Sequence, residues 1–142
     1  MRYFENWCAI IDSLEVCKNL AGNMELLPFD RAAEAAEAVT GFHFTEDAIF
    51  EIGERIVNLE RAYLVREGIR RRDDYLPSRF LKEPLPNGRS KGEIFEIEPM
   101  LDEYYAEREW NLRTGIPKAE KLRKIGLGYV VEDLKRNGVK KK

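Results

Sequence analysis

The sequence predicts an all-α fold, a single helical domain, on three observations. Apolar residues recur three and four apart through most of the chain, which is the spacing of one helix face. A segment rich in alanine and glutamate, residues 31–39, has high helix propensity. Glycines stand where several helical patterns end, at Gly41, Gly68 and Gly126. Period-two alternation is confined to residues 93–98, so we predict at most one short strand.

Two helices are expected before residue 45. The first is predicted from about residue 3 to 16, with a break near residues 20–23, because apolar side chains there follow helical spacing: Trp7, Ile10, Ile11, Leu14 and Cys17. The second contains the alanine-rich segment and should end at Thr40-Gly41, since glycine commonly terminates helices.

The longest predicted helix begins after Thr45, a favourable N-cap, and ends near Glu67-Gly68. Its first turn contains Glu46 and Asp47, whose charges suit the positive end of the helix dipole. A broad apolar stripe predicts packing against two neighbouring helices. The stripe comprises Ile49, Ile52, Ile56, Leu59 and Tyr63, widened by Phe50, Val57 and Leu64.

A proline-rich loop is expected at about residues 69–98. With Pro99 at its border it holds Pro77, Pro84 and Pro86, and prolines at this density oppose regular helix. Loops of this length inside compact domains are usually functional.

Helices are predicted to resume at Pro99, where one face contains Met100, Leu101, Tyr104 and Tyr105. A further helix should open at residues 115–117 and stop at Gly126, with Leu122 and Ile125 facing inward. A last short helix should bury Val130, Val131 and Leu134, and the tail 137–142 is expected to fray.

Size and charge bound the class of protein. A chain of 142 residues is about one domain, and 44% hydrophobic with 35% charged residues is typical of a globular protein. A net charge of −2 argues against nucleic-acid or membrane-surface binding. Glu5 and Asp12 interrupt the N-terminal apolar segment, so it is a poor signal peptide and we expect a cytoplasmic protein.

Two cysteines and one histidine are too few for a self-contained zinc site or a Cys/His nucleophile. If residues 5–17 formed one helix, the thiols of Cys8 and Cys17 would face opposite sides, excluding a disulfide or a shared metal. Each cysteine is then either a buried thiol or one ligand of a site completed by another chain. The residue chemistry alone supports no reaction.

Four phrases resemble, in order, the C-terminal part of the tungsten-dependent aldehyde ferredoxin oxidoreductase family. NLERAYLVREG (58–68) resembles N-L-x-R-A-F-N-x-R-E-G, and RRDDYLPSRF (71–80) resembles R-x-D-D-x-L-P-x-R. MLDEYYAEREWN (100–111) resembles M-L-x-x-Y-Y-x-x-R-G-W, and TGIPKAEKLRKIGL (114–127) resembles G-x-P-x-x-x-K-L-x-x-L-G-L. The resemblance extends over about residues 8–135.

A fifth phrase implies cofactor chemistry. DSLEVC (12–17) resembles the family's second D-x-x-G-L-C motif, in which the cysteine is the fourth ligand of a [4Fe–4S] cluster and the aspartate contacts a molybdopterin. By that resemblance Cys17 is a metal ligand and Asp12 a cofactor-binding residue. The other three cluster cysteines and the pterin-binding domain are absent, so no cofactor is expected in the isolated chain.

The resemblance implies the C-terminal domain, or a split subunit, of a tungstopterin enzyme that oxidises aldehydes and passes electrons to ferredoxin. Such a chain would be inactive alone and would require a chain carrying the N-terminal pterin-binding domain. Glu15, Val16 and Glu109 depart from the family patterns, with glutamate replacing glycine twice. The alternative is therefore a non-catalytic helical binding or structural module, with a homodimer hiding its apolar surface.

Overall fold

The computed structural model describes residues 1–21 and 26–139, and its regular secondary structure there is helical. Gly22 and Asn23 of the predicted break lie outside these residues. A 3-10 turn occupies Arg71–Asp73. The α-helices are α1 (Arg2–Ser13), α2 (Lys18–Ala21), α3 (Phe29–Thr40), α4 (Glu46–Arg66), α5 (Ser78–Lys82), α6 (Ile97–Arg108), α7 (Ala119–Lys124) and α8 (Gly128–Arg136). The predicted all-α class is confirmed.

The predicted strand at residues 93–98 is wrong. Within the described residues the single β-type pairing is an isolated bridge between Trp110 and Pro117. Residues 93–95 follow an irregular path, in which the Phe95 N–H donates to the Phe80 carbonyl. A lone extended segment has no neighbouring strand with which to form a ladder, and α6 begins at Ile97.

Several helix boundaries differ from expectation by two or three residues. α1 ends at Ser13, not near 16. The premise of one helix over residues 5–17 therefore fails, and Cys17 lies beyond the helix end. Pro117 precedes α7 by two residues, and α6 begins two residues before Pro99. The Thr45 cap is confirmed, since its side chain accepts a hydrogen bond from the Ala48 N–H at 3.1 Å.

Two apolar clusters form the core, and α4 contributes to both. The N-terminal core packs α1, α3 and the start of α4, and its buried residues are Trp7, Ile10, Ile11, Ala21, Phe29, Ala32, Ala33, Ala36 and Ile49. The C-terminal core packs the end of α4 on α7 and α8, with Ala62, Val65, Ile116, Ala119, Leu122, Ile125, Leu127, Val130, Val131 and Leu134. The inward residues predicted for α7 and α8 are confirmed. Of the tail, Val139 packs against the C-terminal core, and residues 140–142 lie outside the described part.

α1 lies unusually close to α4 because α4 has a glycine at the crossing. A Cβ added at Gly53 would lie 2.6 Å from the Asn6 carbonyl oxygen, closer than such atoms approach. Gly53 therefore sets the position of α1, and with it the turn that follows α1.

The predicted apolar stripe of α4 is wrong in its C-terminal half. Leu59, Tyr63 and Leu64 are 42%, 56% and 43% exposed. Between the two cores α4 instead buries polar side chains: Glu54, Asn58 and Arg61. We call residues 67–96, between α4 and α6, the central loop. The free energy cost of burying these side chains is offset by partners on α1, α6, α7 and the central loop, which residue spacing within α4 cannot reveal.

Candidate functional site

The end of α1 is a tight turn built from main-chain hydrogen bonds. Glu15 has a left-handed conformation, with φ 58°. Its N–H donates to the Asp12 carbonyl at 3.1 Å, and the Val16 N–H donates to the Ile11 carbonyl at 3.1 Å. This pair of bonds defines a Schellman motif, in which the left-handed position is normally glycine. We call residues 12–17 the α1 turn.

The Schellman geometry explains the spacing of the phrase DSLEVC. Asp12 lies in the last helical turn, Glu15 reverses the chain, and Val16 packs back on the N-terminal core. An apolar residue directly after the left-handed position commonly closes this motif. Cys17 then follows at an exposed position. The α1 turn thus brings the two predicted site residues to one end of α1 and leaves both at the surface.

Asp12 has a partner that the sequence did not suggest. Its carboxylate accepts from the Lys18 ammonium at 2.8 Å, and the Asp12 and Lys18 side chains are 62% and 48% exposed. The hydrogen bond to Asp12 raises the pKa of Lys18. The two charges compensate each other, and because both are exposed the pair contributes little to folding.

A groove of about 350 Å³ runs beside α1 toward α4. It is lined by Met1, Phe4, Glu5, Cys8, Ala9, Asp12, Val57 and Glu60. Burial raises the pKa of the half-buried Cys8 thiol, and the nearby Lys18 charge opposes this rise. A thiol with a raised pKa is a poor nucleophile and a poor metal ligand at neutral pH, so Cys8 is the weaker ligand candidate of the two cysteines.

The end of α6 repeats the same turn in a buried setting. Glu109 has φ 57°, its N–H donates to the Ala106 carbonyl at 3.1 Å, and the Trp110 N–H donates to the Tyr105 carbonyl at 2.8 Å. The turn holds Arg108 and Trp110 in the interior. Tyr105 and Trp110 are both buried, and their rings lie 5.6 Å apart.

Arg108 belongs to a buried polar network behind the groove. Its guanidinium, fully buried, donates to Glu5 at 2.6 Å and to Glu54 at 3.0 Å. Glu54 also accepts from Arg2 at 3.0 Å and from Lys121 at 3.1 Å. The Glu54 carboxylate on α4 therefore joins this helix to α1, α6 and α7.

The network sets the ionisation of Glu54. Burial by itself raises the pKa of Glu54, but hydrogen bonds from Asn6, Arg2 and Lys121 and the charge of Arg108 outweigh it, and the pKa falls to about 2. Glu54 is consequently ionised at neutral pH, and it lacks the raised pKa of a general acid.

A second buried pair anchors the start of the central loop. Arg61 donates to both Asp74 carboxylate oxygens, at 2.7 and 2.6 Å, and to the Gly115 carbonyl at 2.9 Å. The Tyr105 hydroxyl also donates to Asp74. Burial, followed by the hydrogen bond to Asp74, raises the pKa of Tyr105. The pair therefore positions the loop and is fully occupied by internal partners.

The rest of the central loop projects as an arm with a large pocket. Residues 78–96 enclose about 700 Å³, and the lining combines apolar and charged side chains: Arg79, Phe80, Glu83, Pro84, Leu85, Pro86, Ser90, Glu93, Ile94 and Phe95. Phe80 and Ile94 are 54% and 50% exposed. The loop was predicted; its α5 helix and its pocket were not.

The side chains available as metal ligands limit which cofactors the chain can hold. Within residues 1–21 and 26–139, no group of three or more His, Cys, Asp or Glu residues is placed to hold a metal ion. Cys17 offers one thiolate, and an iron–sulfur cluster takes four ligands. The exposed position of Cys17 fits one ligand of a cluster whose remaining ligands come from elsewhere. In the same part of the chain, no helix combines the length and apolar character needed to cross a membrane.

The sequence reasoning missed Lys18, Glu54, Arg108 and the Arg61–Asp74 pair. A signal existed on α4, because Glu54, Asn58, Arg61 and Val65 follow helical spacing and form one face. Three of the four are polar, which is typical of a solvated face. Their partners lie outside α4, 13 residues away for Asp74 and 54 residues away for Arg108 and Gly115.

The chain is similar in sequence to several known proteins. The chain is 38% identical over 125 residues to the tungsten-containing aldehyde ferredoxin oxidoreductase of Pyrococcus furiosus, covering 87% of this chain and 20% of the relative. The enzyme of the same name from Pyrococcus horikoshii is 36% identical over 125 residues, again covering 87% of this chain and 20% of the relative. A Pyrococcus furiosus protein named aliphatic sulfonate oxidoreductase, WOR-like subunit, is 36% identical over 138 residues, covering 90% of this chain and 21% of the relative.

A solved structure shares the fold. It is the active-site complex BamBC of benzoyl coenzyme A reductase in complex with 1,5-dienoyl-CoA, with TM-score 0.77 and 25% identity, over 99% of this chain and 20% of that chain. This chain therefore spans about a fifth of the length of the relatives it matches. The family model for aldehyde ferredoxin oxidoreductase, domains 2 and 3, matches residues 1–127. The chain belongs to the aldehyde ferredoxin oxidoreductase family, in the part formed by domains 2 and 3.

Proposed function

We propose that this chain supplies the C-terminal helical part of a cytoplasmic tungstopterin [4Fe–4S] aldehyde oxidoreductase, as a segment or a separate subunit, and is inactive alone. The observation that carries the proposal is the α1 turn, which places Asp12 and Cys17 together at the surface in a family whose curated relatives contain tungsten. The required partner is a chain carrying the pterin-binding domain, and ferredoxin takes part indirectly as electron acceptor.

Cys17 is the proposed fourth cluster ligand. It lies outside α1, is exposed, and follows a backbone turn that main-chain hydrogen bonds hold in place. A thiolate presented in this way can meet three others on a facing domain without rearrangement of the helix. When bound, the pterin-held tungsten and the cluster supply redox chemistry in which aldehyde and water give a carboxylic acid, two protons and two electrons.

Asp12 is the proposed pterin contact. A carboxylate can accept hydrogen bonds from the amino and ring N–H groups of a pterin. In the structure this carboxylate is bound to Lys18, so docking of a pterin exchanges that partner. The exchange is inexpensive, because an exposed ion pair contributes only about 0–1 kcal/mol.

Reconstitution tests the proposal. The probe is the Pyrococcus furiosus aldehyde ferredoxin oxidoreductase lacking the segment matched here, co-expressed with this chain under tungsten and iron supply. We expect a stable complex, four iron atoms per complex, brown cluster absorbance and aldehyde-dependent reduction of a viologen dye. Cys17→Ala should abolish the intact cluster, whereas the matched control Cys8→Ala should retain it.

Failure to associate, to bind iron and to reduce dye would together contradict the proposal. So would equal iron content in the Cys17→Ala and Cys8→Ala complexes, since Cys17 would then not be a ligand.

A second candidate function is a non-catalytic helical binding module, and Glu15 is the observation that favours it. Its carboxylate occupies the turn where the resembling motif has glycine, close to the position that a cofactor would approach. Exposed apolar side chains such as Phe80 and Tyr129, 54% and 65% exposed, suit a homodimer in this case. Self-association by analytical ultracentrifugation, combined with no iron under any assembly, would favour this function.

A further inference from the structure

Two glutamates in the described residues share a backbone conformation that glutamate rarely adopts. Glu15 and Glu109 are the non-glycine residues with positive φ, at 58° and 57°, within residues 1–21 and 26–139. Both close Schellman motifs, and other helix ends of the chain use glycine there, such as Gly68 and Gly126 with φ 101° and 78°. A side chain at this position costs free energy that glycine avoids.

The two carboxylates differ in what they contact. Glu109 accepts from the buried Lys121 ammonium at 3.3 Å, so its charge has an internal role. Glu15 is exposed, and no ion pair or side-chain hydrogen bond joins it to another residue of the described part. Within the described residues, therefore, no ion pair or side-chain hydrogen bond offsets the conformational cost at Glu15.

The position of Glu15 ties its charge to Cys17. Two peptide units separate the residues, which keeps their α-carbons within about 7 Å of each other. The hydrogen bonds of the α1 turn and the packing of Val16 hold this segment in place. The Lys18 ammonium, one residue after Cys17, is already paired with Asp12 at 2.8 Å. Among the described residues, the Glu15 carboxylate, two positions before Cys17, has no ion-pair partner.

We infer that the Glu15 carboxylate lowers the reduction potential of the [4Fe–4S] cluster bound at Cys17. The inference rests on the proposed function and adds a residue that sets the redox balance of the same site. Reduction adds one electron to the cluster, supplied in the test by dithionite. Placing that electron near a fixed negative charge is unfavourable, so the oxidised cluster is favoured. The effect grows when the assembled domains exclude water, because the local dielectric falls.

The test is a redox titration of the reconstituted complex, following the electron paramagnetic resonance signal of the reduced cluster. Glu15→Gln removes the charge and keeps the side-chain shape, while Glu15→Gly also removes the backbone strain. Both variants should raise the midpoint potential, changing the ratio of reduced to oxidised cluster three- to tenfold at fixed solution potential; tenfold is about 59 mV for one electron. Glu109→Gln, the matched left-handed glutamate in the other turn, should titrate like the parent complex.

Three results would overturn the inference while leaving the proposed function standing. The first is a cluster of unchanged potential in Glu15→Gln. The second is a rise in Glu15→Gly alone, which would assign the effect to the backbone. The third is an equal rise in Glu109→Gln, which would make it a general effect of removing charge. Absence of iron from the parent complex would instead overturn the proposed function, and this inference with it.

Discussion

The ends of α1 and α6 have the same backbone geometry and opposite surroundings. Each closes with a Schellman motif that forces a glutamate into the left-handed region, at Glu15 and Glu109. At the α6 end the Glu109 side chain is 43% exposed, but Arg108 and Trp110 on either side of it are buried. The α1 end leaves Cys17 exposed.

The difference separates a structural turn from a candidate binding turn. Around Glu109 the neighbouring polar groups have internal partners, including Glu54 for Arg108 and Asn58 for the Trp110 indole N–H at 2.9 Å. Around Glu15 the polar neighbours Asp12, Cys17 and Lys18 are exposed, and the Asp12–Lys18 pair is weak. A local motif thus sets where the chain turns, and the tertiary contacts decide whether the turn supports the fold or presents ligands.

The largest expected effect comes from removing Arg108. Arg108→Ala removes the fully buried guanidinium that Glu54 and Glu5 share, although Arg2 and Lys121 still contact Glu54. Loss of one partner of a buried pair typically costs about 3–5 kcal/mol. We expect a fall of that size in the free energy of unfolding, measured by urea denaturation. Arg79→Ala, which removes an arginine 77% exposed on the arm, should stay within about 0.5 kcal/mol of the parent. A small loss in Arg108→Ala would show that the α6 end is no more structural than the α1 end.

The second-largest effect is expected from acid, which should lower the stability that the buried network around Glu54 contributes. The pKa of Glu54 is about 2 in the folded chain against an ordinary value of 4.5. A depressed folded pKa gives stability that is complete above the unfolded value and is lost as pH falls through 4.5 toward 2. The loss at Glu54 should reach roughly 3 kcal/mol. Urea denaturation between pH 6 and 2 measures it, and Glu54→Gln should be less stable at pH 6 with a shallower acid limb.

Glycine substitutions at Glu15 and Glu109 should change the free energy of unfolding by intermediate amounts that differ between the two turns. Glu15→Gly relieves a conformational cost of about 1–2 kcal/mol, partly cancelled by the greater entropy of glycine in the unfolded chain, so a net gain of about 0.5–1 kcal/mol is expected. Glu109→Gly gains the same relief but loses the contact to Lys121, so its net change should be near zero.

Thermal unfolding of both glycine variants measures this difference. Glu15→Ala is the control, since alanine keeps the unfavourable conformation and should give no gain. Equal gains at the two positions would mean that the Glu109 side chain contributes nothing through Lys121.

The smallest effect is expected at the ligand candidate itself. Cys17→Ala in the isolated chain should change the free energy of unfolding by less than about 0.5 kcal/mol, because the residue is exposed. Differential scanning calorimetry measures it. A loss of several kcal/mol would place Cys17 in the folding core of the chain and contradict the outward role of the α1 turn.

Much of the helical framework could be predicted from local sequence. The Thr45 cap and the glycine stops at Gly41, Gly68 and Gly126 act within one helical turn, so their residues determine them. The inward faces of α7 and α8 also followed from spacing. The family phrases likewise depend on sequence order, and the family comparison bears them out.

Tertiary structure alone decided which face of α4 is buried. Glu54 and Arg61 are inside because Arg108 and Asp74 lie opposite them, while Leu59 and Tyr63 stay exposed. The free energy of burying a charge depends on partners that arrive from distant parts of the chain, and no local pattern contains them. The same reason explains the two glutamate turns. The sequence determined their shared geometry. Only the surrounding helices determined that Arg108 and Trp110 beside one turn are buried, whereas Asp12 and Cys17 beside the other are exposed.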